Sequence, residues 1–207
     1  NEATTEMMQR ASGQFQAEAE EDVPDGVPVV FSAHGVPKLI PATADARGMN
    51  WLDATCPLVS KVHRQAERLV EQNKHIIFIG HAGHPEVIGT FGQVPDGSMT
   101  LIEDVADVDK LPDMDAAQLG LLTQTTLSVD DTAAIVDALK ARFPGIQGPK
   151  GEDICYATSN RQEAVKAICT QVDKLIVIGA PNSSNSQRLA EVGERLGVPA
   201  RLVQRGH

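Results

Sequence analysis

Two turns of this chain carry cysteines in places where packing alone does not call for them. In "DATCPLVSKVH", Asp53 to His63, Cys56 stands between a threonine and a proline, just where an apolar run gives way to helical spacing. "DICYATSN" gives Cys155 a similar setting. A structural cysteine normally sits inside an apolar element, whereas a polar turn ahead of a helix offers a thiolate the helix's positive end. Metal ligation is one reading. The two residues are far apart and form no CxxC pair, so two ordinary turn cysteines are the other. Cys169 differs, since "EAVKAICTQV" puts it on the apolar face of a helix, where it reads as a small buried hydrophobe.

"GHAGHPE" sets His81 and His84 around a glycine turn, with Glu86 just past Pro85 in what reads as a first helical turn. Two histidines and a carboxylate could bind zinc; His84 could donate hydrogen bonds to an anion while Glu86 handles protons; or His81 could simply tie down the loop. Anion and proton work for His84 and Glu86, with a structural His81, is the favoured combination. His34 in "SAHG" holds the same position after a strand and could serve the same anion. His63, inside a helical pattern, and His75, at a strand start, read as structural. "NSSNSQRL", Asn182 to Leu189, opens a helix after an apolar strand. Its backbone N–H groups, with Ser183, Ser184 and Asn185, would make a neutral phosphate cradle, although the same residue types are common helix caps. In "TQTT" the Thr125 hydroxyl could relay a proton or could merely end a strand.

These residues need elements to hold them, and the pattern of the chain supplies them. Past residue 27, short apolar runs alternate with amphipathic segments, as in an α/β protein with parallel sheets. The strands expected are "PVVFSA", "NWLDA", "HIIFIG", "MTLIE", "LGLLT", "DICYA", "KLIVIGA" and "ARLVQ", with helices over "LVSKVHRQAERLVEQ" and "VDDTAAIVDALKARF". Ser128 with Asp131, and Ser159 with Gln162, fit capping boxes. "RFPGIQGPKGED" reads as a junction, with another near Cys56. The first 22 residues, polar and acidic, read as an exposed helix or a poorly ordered end. Each chemically capable cluster follows an expected strand, and strand carboxyl ends line the ligand crevice of open α/β sheets, so six turns are expected to converge.

The chain has 207 residues with 42% hydrophobic content, enough for one large domain or two to three small ones. A net charge of -10 argues against nucleic-acid and anionic-membrane partners, which would require a basic stripe. Three cysteines, no apolar run of about 18 residues and no signal-peptide core point to a cytoplasmic protein without a disulfide framework.

In their order and separations, "FSAHGV", "DATCPLVSKVH", "IGHAGHPEV", "TQTTLSVDDT", "DICYATSNRQEAV" and "NSSNSQRL" resemble 4-hydroxy-3-methylbut-2-enyl diphosphate reductase, the LytB or IspH family, from about Val23 to about Val203. The resemblance implies a trefoil of small α/β subdomains with parallel-type sheets around a 4Fe-4S cluster that three cysteines hold, with one iron open to substrate. It makes Cys56 and Cys155 cluster ligands, Glu86 the proton donor and Thr125 the hydroxyl beside it. His34, His84, Ser183, Ser184 and Asn185 match the groups that bind the substrate diphosphate. The implied reaction removes an allylic hydroxyl reductively, giving isopentenyl and dimethylallyl diphosphate, with ferredoxin or flavodoxin as electron donor. The resemblance divides the chain into a partial first subdomain (1–55), a complete middle one (56–152) and a partial third (153–207). The family's first cluster cysteine and first diphosphate histidine fall before Asn1 and its last substrate serine beyond His207, so a partial enzyme with little turnover of its own is expected. Two other readings stay open. One is a zinc-dependent hydrolase using His81, His84 and a cysteine; the other is a non-catalytic diphosphate-binding module.

Overall fold

The computed structural model describes Val23, residues 26–149, Gly151 and residues 153–204. The expectations for the first 22 residues lie outside the described part. In chain order the elements are β1 (Val29–Phe31), α1 (Leu39–Ala46), β2 (Trp51–Asp53), α2 (Pro57–Glu71), β3 (His75–Ile79), α3 (Pro85–Phe91) and β4 (Met99–Ile102). There follow α4 (Val105–Lys110), a 3-10 turn (Ala116–Gln118), β5 (Leu119–Thr123), α5 (Val129–Arg142), α6 (Tyr156–Cys169), β6 (Leu175–Ile178), α7 (Ser184–Arg195) and β7 (Ala200–Val203). The described strands form three sheets, β1-β2, β4-β3-β5 and β6-β7, and every pairing is parallel. This is the α/β class with parallel sheets expected from the alternation.

The central sheet shows why the pattern works. Along "HIIFI" successive side chains point to opposite faces. Ile77 and Ile79 join a cluster with Leu121, Ile135 and Leu139, so α5 covers one face. Ile76 and Phe78 join Val62, Ala66, Leu69 and Val87, so α2 and α3 cover the other. A strand buried on both faces reads as a continuous apolar run, which β3 is. Each fully buried isoleucine or leucine contributes roughly 1.5–3 kcal/mol. The order β4-β3-β5 sends the chain leaving β3 towards β4 on one side, whereas β5 lies on the other, so a crevice opens between the carboxyl ends of β3 and β5.

Two expectations fail. "DICYA" forms no strand: Cys155 is already the N-cap of α6, and Tyr156 is exposed. The run is spent on anchoring, with Ile154 against the central core and Asp153 bonded to Lys61 and to the Thr123 N–H. The Ser159–Gln162 capping box is absent for the same reason. The helix starts earlier, Ser159 Oγ bonds back to the Cys155 carbonyl, and buried Gln162 reaches across to the Val129 N–H and the Leu127 carbonyl. Ser128 does cap α5, accepting from the Asp131 N–H. The "RFPGIQ" junction touches the central sheet through a bridge between Gly120 and Gln147. Among the described residues no helix is long and apolar enough to cross a membrane.

Candidate active site

The crevice between β3 and β5 holds a buried carboxyl. Pro85 fixes the first turn of α3, which brings Glu86 back over the sheet end, where it is 1% exposed. Thr125, just past β5, meets both oxygens: its N–H donates to Oε1 at 2.6 Å and its hydroxyl to Oε2 at 2.9 Å. Burial raises the Glu86 carboxyl from 4.5 to about 7, the two Thr125 hydrogen bonds oppose that, and the nearby Asp153 charge adds to it. Near neutrality Glu86 therefore holds a proton part of the time, with the Thr125 hydroxyl against it.

His84 caps the same helix: its Nδ1 accepts from the Glu86 N–H at 3.1 Å. An accepting Nδ1 leaves the proton on Nε2, so the free edge of the ring is a donor. Burial, then the neighbouring His34 and His81, lower His84 to about 4, so it donates as a neutral imidazole. His34 lies against it edge to face, with ring centroids 5.5 Å apart. What permits that approach is Gly89 on α3, where a Cβ would come within 2.8 Å of the Gly35 carbonyl oxygen. The His81 N–H bonds to Gln124 Oε1 and its ring lies 3.6 Å from Glu103, so it ties the loop down.

At the start of α7, Ser183 Oγ accepts from the Ser186 N–H and from the Ser186 hydroxyl. Its own proton is left free to donate. Ser184 Oγ donates to the Thr126 carbonyl at 3.2 Å and accepts from the Thr126 hydroxyl. Asn185 Oδ1 is buried with no partner among the described residues. An orphaned acceptor wants a donor, which a hydroxyl supplies and a diphosphate oxygen does not.

The two turn cysteines are free and half-buried, and each N-caps a helix, α2 or α6, with no side-chain hydrogen bond of its own. Both join the same system of turns. The Cys56 N–H donates to the Ala33 carbonyl beside His34, and the Cys155 N–H to the Thr125 carbonyl. Asp153, two residues before Cys155, pairs with Lys61 on the helix that Cys56 begins. Cys169 is buried with Val165, Val192 and Val198 and is no part of this. Sulfurs uncommitted at two helix starts fit thiolate ligands. The zinc set is not assembled: His84 Nδ1 is taken by the cap, and no three His, Cys, Asp or Glu among the described residues group as metal ligands.

Contacts thus join the turns that follow β1, β2, β3 and β5 to the turns that begin α6 and α7. Gln124, Thr126, Gly89 and the Lys61–Asp153 pair were not singled out from the sequence, although Gln124 and Thr126 stand inside "TQTT".

A family model described as LytB protein matches residues 1–207. The chain belongs to the LytB family. A LytB relative in Ruegeria pomeroyi, named 4-hydroxy-3-methylbut-2-enyl diphosphate reductase, is 60% identical over 197 residues, 95% of this chain and 62% of the relative. One of the same name in Paracoccus denitrificans is 59% identical with the same coverage. The solved E-1-hydroxy-2-methyl-but-2-enyl-4-diphosphate reductase of Plasmodium falciparum matches with a TM-score of 0.84 at 44% identity, over 88% of this chain and 57% of that one. A second solved structure, described as (E)-4-hydroxy-3-methyl-but-2-enyl diphosphate reductase, the terminal enzyme of the non-mevalonate pathway, matches with a TM-score of 0.62 at 28% identity, over 89% of this chain and 65% of that one. The chain spans 62% of the length of the curated relatives.

Proposed function

We propose that this chain carries most of the active site of a 4-hydroxy-3-methylbut-2-enyl diphosphate reductase, which makes isopentenyl and dimethylallyl diphosphate in the methylerythritol phosphate route to isoprenoids. The observation that carries the reading is the Glu86–Thr125 pair, together with the Thr125 backbone carbonyl that holds the Cys155 N–H. It sets a proton store one hydrogen bond from the backbone of a free thiol. The relatives' names support the same reaction. The net change consumes two electrons and two protons and releases water.

In this reading the neutral Nε2–H donor of His84, the ring of His34 against it, the free Ser183 hydroxyl and the start of α7 hold the diphosphate, with Ser184 and Asn185 beside them. Asn185 can donate to the diphosphate through its Nδ2 amide, since its Oδ1 only accepts. Glu86 is buried, so its proton leaves through Thr125, whose hydroxyl turns outward, gives its own proton to the substrate's leaving oxygen and takes the Glu86 proton in its place. Anchoring the anionic end fixes where the hydroxyl lies, which converts binding into orientation. Cys56 and Cys155 would hold a 4Fe-4S cluster, which when bound supplies the electrons and a Lewis-acidic iron. Of the chain's three cysteines these two are suited to it, because Cys169 lies in a core. We read the units as 1–55, 56–152 and 153–207, the compartment as cytoplasm, and the electron donor as a ferredoxin or flavodoxin.

Titration with 4-hydroxy-3-methylbut-2-enyl diphosphate tests the reading. Saturable binding, weakened about tenfold by Ser183→Ala through loss of a charge-assisted hydrogen bond, is expected. No saturable binding would count against both the reductase and a diphosphate-binding module. Anaerobic reconstitution with iron and sulfide tests the ligand set. Two ligands should retain iron poorly, and Cys56→Ser should abolish what remains; a stable four-iron cluster would show that a third cysteine is not required.

A further inference from the structure

Gln124 is 0% exposed, yet it is a polar residue where a leucine would fill similar space. Burying an amide is unfavourable unless both ends are bonded, so each of its bonds carries weight. Its Oε1 accepts from the His81 N–H at 3.1 Å and its Nε2 donates to Thr126 Oγ1 at 3.0 Å. Only the oxygen can take the His81 proton, which fixes the orientation of the amide. Thr126 Oγ1 therefore accepts from Gln124, its single proton goes to Ser184 Oγ at 3.3 Å, and the Ser184 proton goes on to the Thr126 carbonyl. The bonds all run one way, from amide to hydroxyl to hydroxyl to carbonyl. Gly80 leaves the room: a Cβ there would lie 2.9 Å from both the Phe78 ring and Val87, and 3.3 Å from Gln124 Oε1.

We infer that Gln124 is a positioning residue that sets the spacing between the His81–His84 loop, the Thr125–Thr126 turn and the start of α7. Resting on the proposed function, this means that the anion donors on two separate elements are held at a fixed distance from the Glu86–Thr125 pair through one amide. Gln124 is fully buried, and its side-chain bonds go to protein groups, His81 N–H and Thr126 Oγ1. Its loss would loosen the two turns that this amide ties together, and leave the Glu86–Thr125 contacts in place.

Amide hydrogen exchange in the full chain tests this, with β3 and β5 as internal reference. Gln124→Leu is expected to raise exchange about tenfold at His81, whose N–H loses its acceptor, and also at Ser186, because Thr126 is no longer held against Ser184 by the amide, while the strands stay protected. Thr126→Val, which removes both the Gln124 Nε2 acceptor and the hydroxyl on Ser184, is expected to affect Ser186 more than His81, whose N–H keeps its own acceptor, and Thr126→Ser to restore wild-type protection. The inference is overturned if Gln124→Leu changes only one turn, or if protection falls equally in β3 and β5, which marks a merely structural residue. If Gln124→Leu does not fold, Thr126→Val decides, and unchanged exchange at Ser186 overturns the relay. Calorimetry with 4-hydroxy-3-methylbut-2-enyl diphosphate separates the two claims. About tenfold weaker binding by Gln124→Leu supports both; absent binding by the wild type sinks the functional reading, while exchange still judges the relay.

Discussion

Glu86 and His84 are neighbours on one helix start with opposite titration behaviour. The folded Glu86 carboxyl titrates at about 7 against an ordinary 4.5, so the folded chain keeps a proton that the unfolded chain releases. The resulting stability is complete below about 4.5 and is lost as pH rises through 7, on the order of 3 kcal/mol. Glu86→Gln mimics the protonated acid and should remove that loss, so the stability of the variant minus that of wild type, measured in urea, should grow by about 3 kcal/mol between pH 4.5 and 7.5. His84 and His63, both lowered to about 4 mainly by burial, act in the opposite sense. Their contribution is present above 6.5 and lost as pH falls through 4, so the comparison with Glu86→Gln is needed to isolate Glu86. For His84, nitrogen NMR should find the neutral Nε2–H form at pH 6; a charged ring there would contradict the helix cap.

Elements set the distances between these residues, and glycine sets the elements. Gly89→Ala would drive a Cβ against the Gly35 backbone, which cannot rotate away as a side chain can. A loss of about 1–3 kcal/mol is expected, with chemical-shift changes at His34 and His84. Ser128→Ala should cost about 1 kcal/mol through loss of the α5 cap, read in the same denaturation assay. The strands around "HIIFI" and "LGLLT" were legible because burial on both faces writes a continuous apolar run. The post-strand position of His84, Glu86 and Thr125 was legible for the same reason. "DICYA" misled because a short apolar run does not distinguish a strand from an anchored turn, and the partners that decide it, Lys61 and Thr123, lie far away in sequence. Gly89 and Gln124 were not legible, because a close approach and a buried amide are recognised only by what they touch.

At the scale of the whole molecule the sheets are unequal. The central one is covered on both faces, whereas β6 leaves Ile176 and Ile178 exposed at 67% and 71%, and β2 leaves Leu52 exposed. Amide exchange should therefore be faster in β1-β2 and β6-β7 than in β4-β3-β5, and the thermal melt should be broad; one sharp transition in which all three sheets lose protection together would contradict this. The order of the strands has a further consequence for how each molecule comes into being. The Glu86–Thr125 contact closes a loop of 39 residues inside the central sheet, whereas the Thr126–Ser184 contact spans 58 and needs an element made much later. During synthesis from the amino end, the central sheet can close before Ser184 has been added. The store of protons can then form while the last part of the cradle for the anion is still to be made.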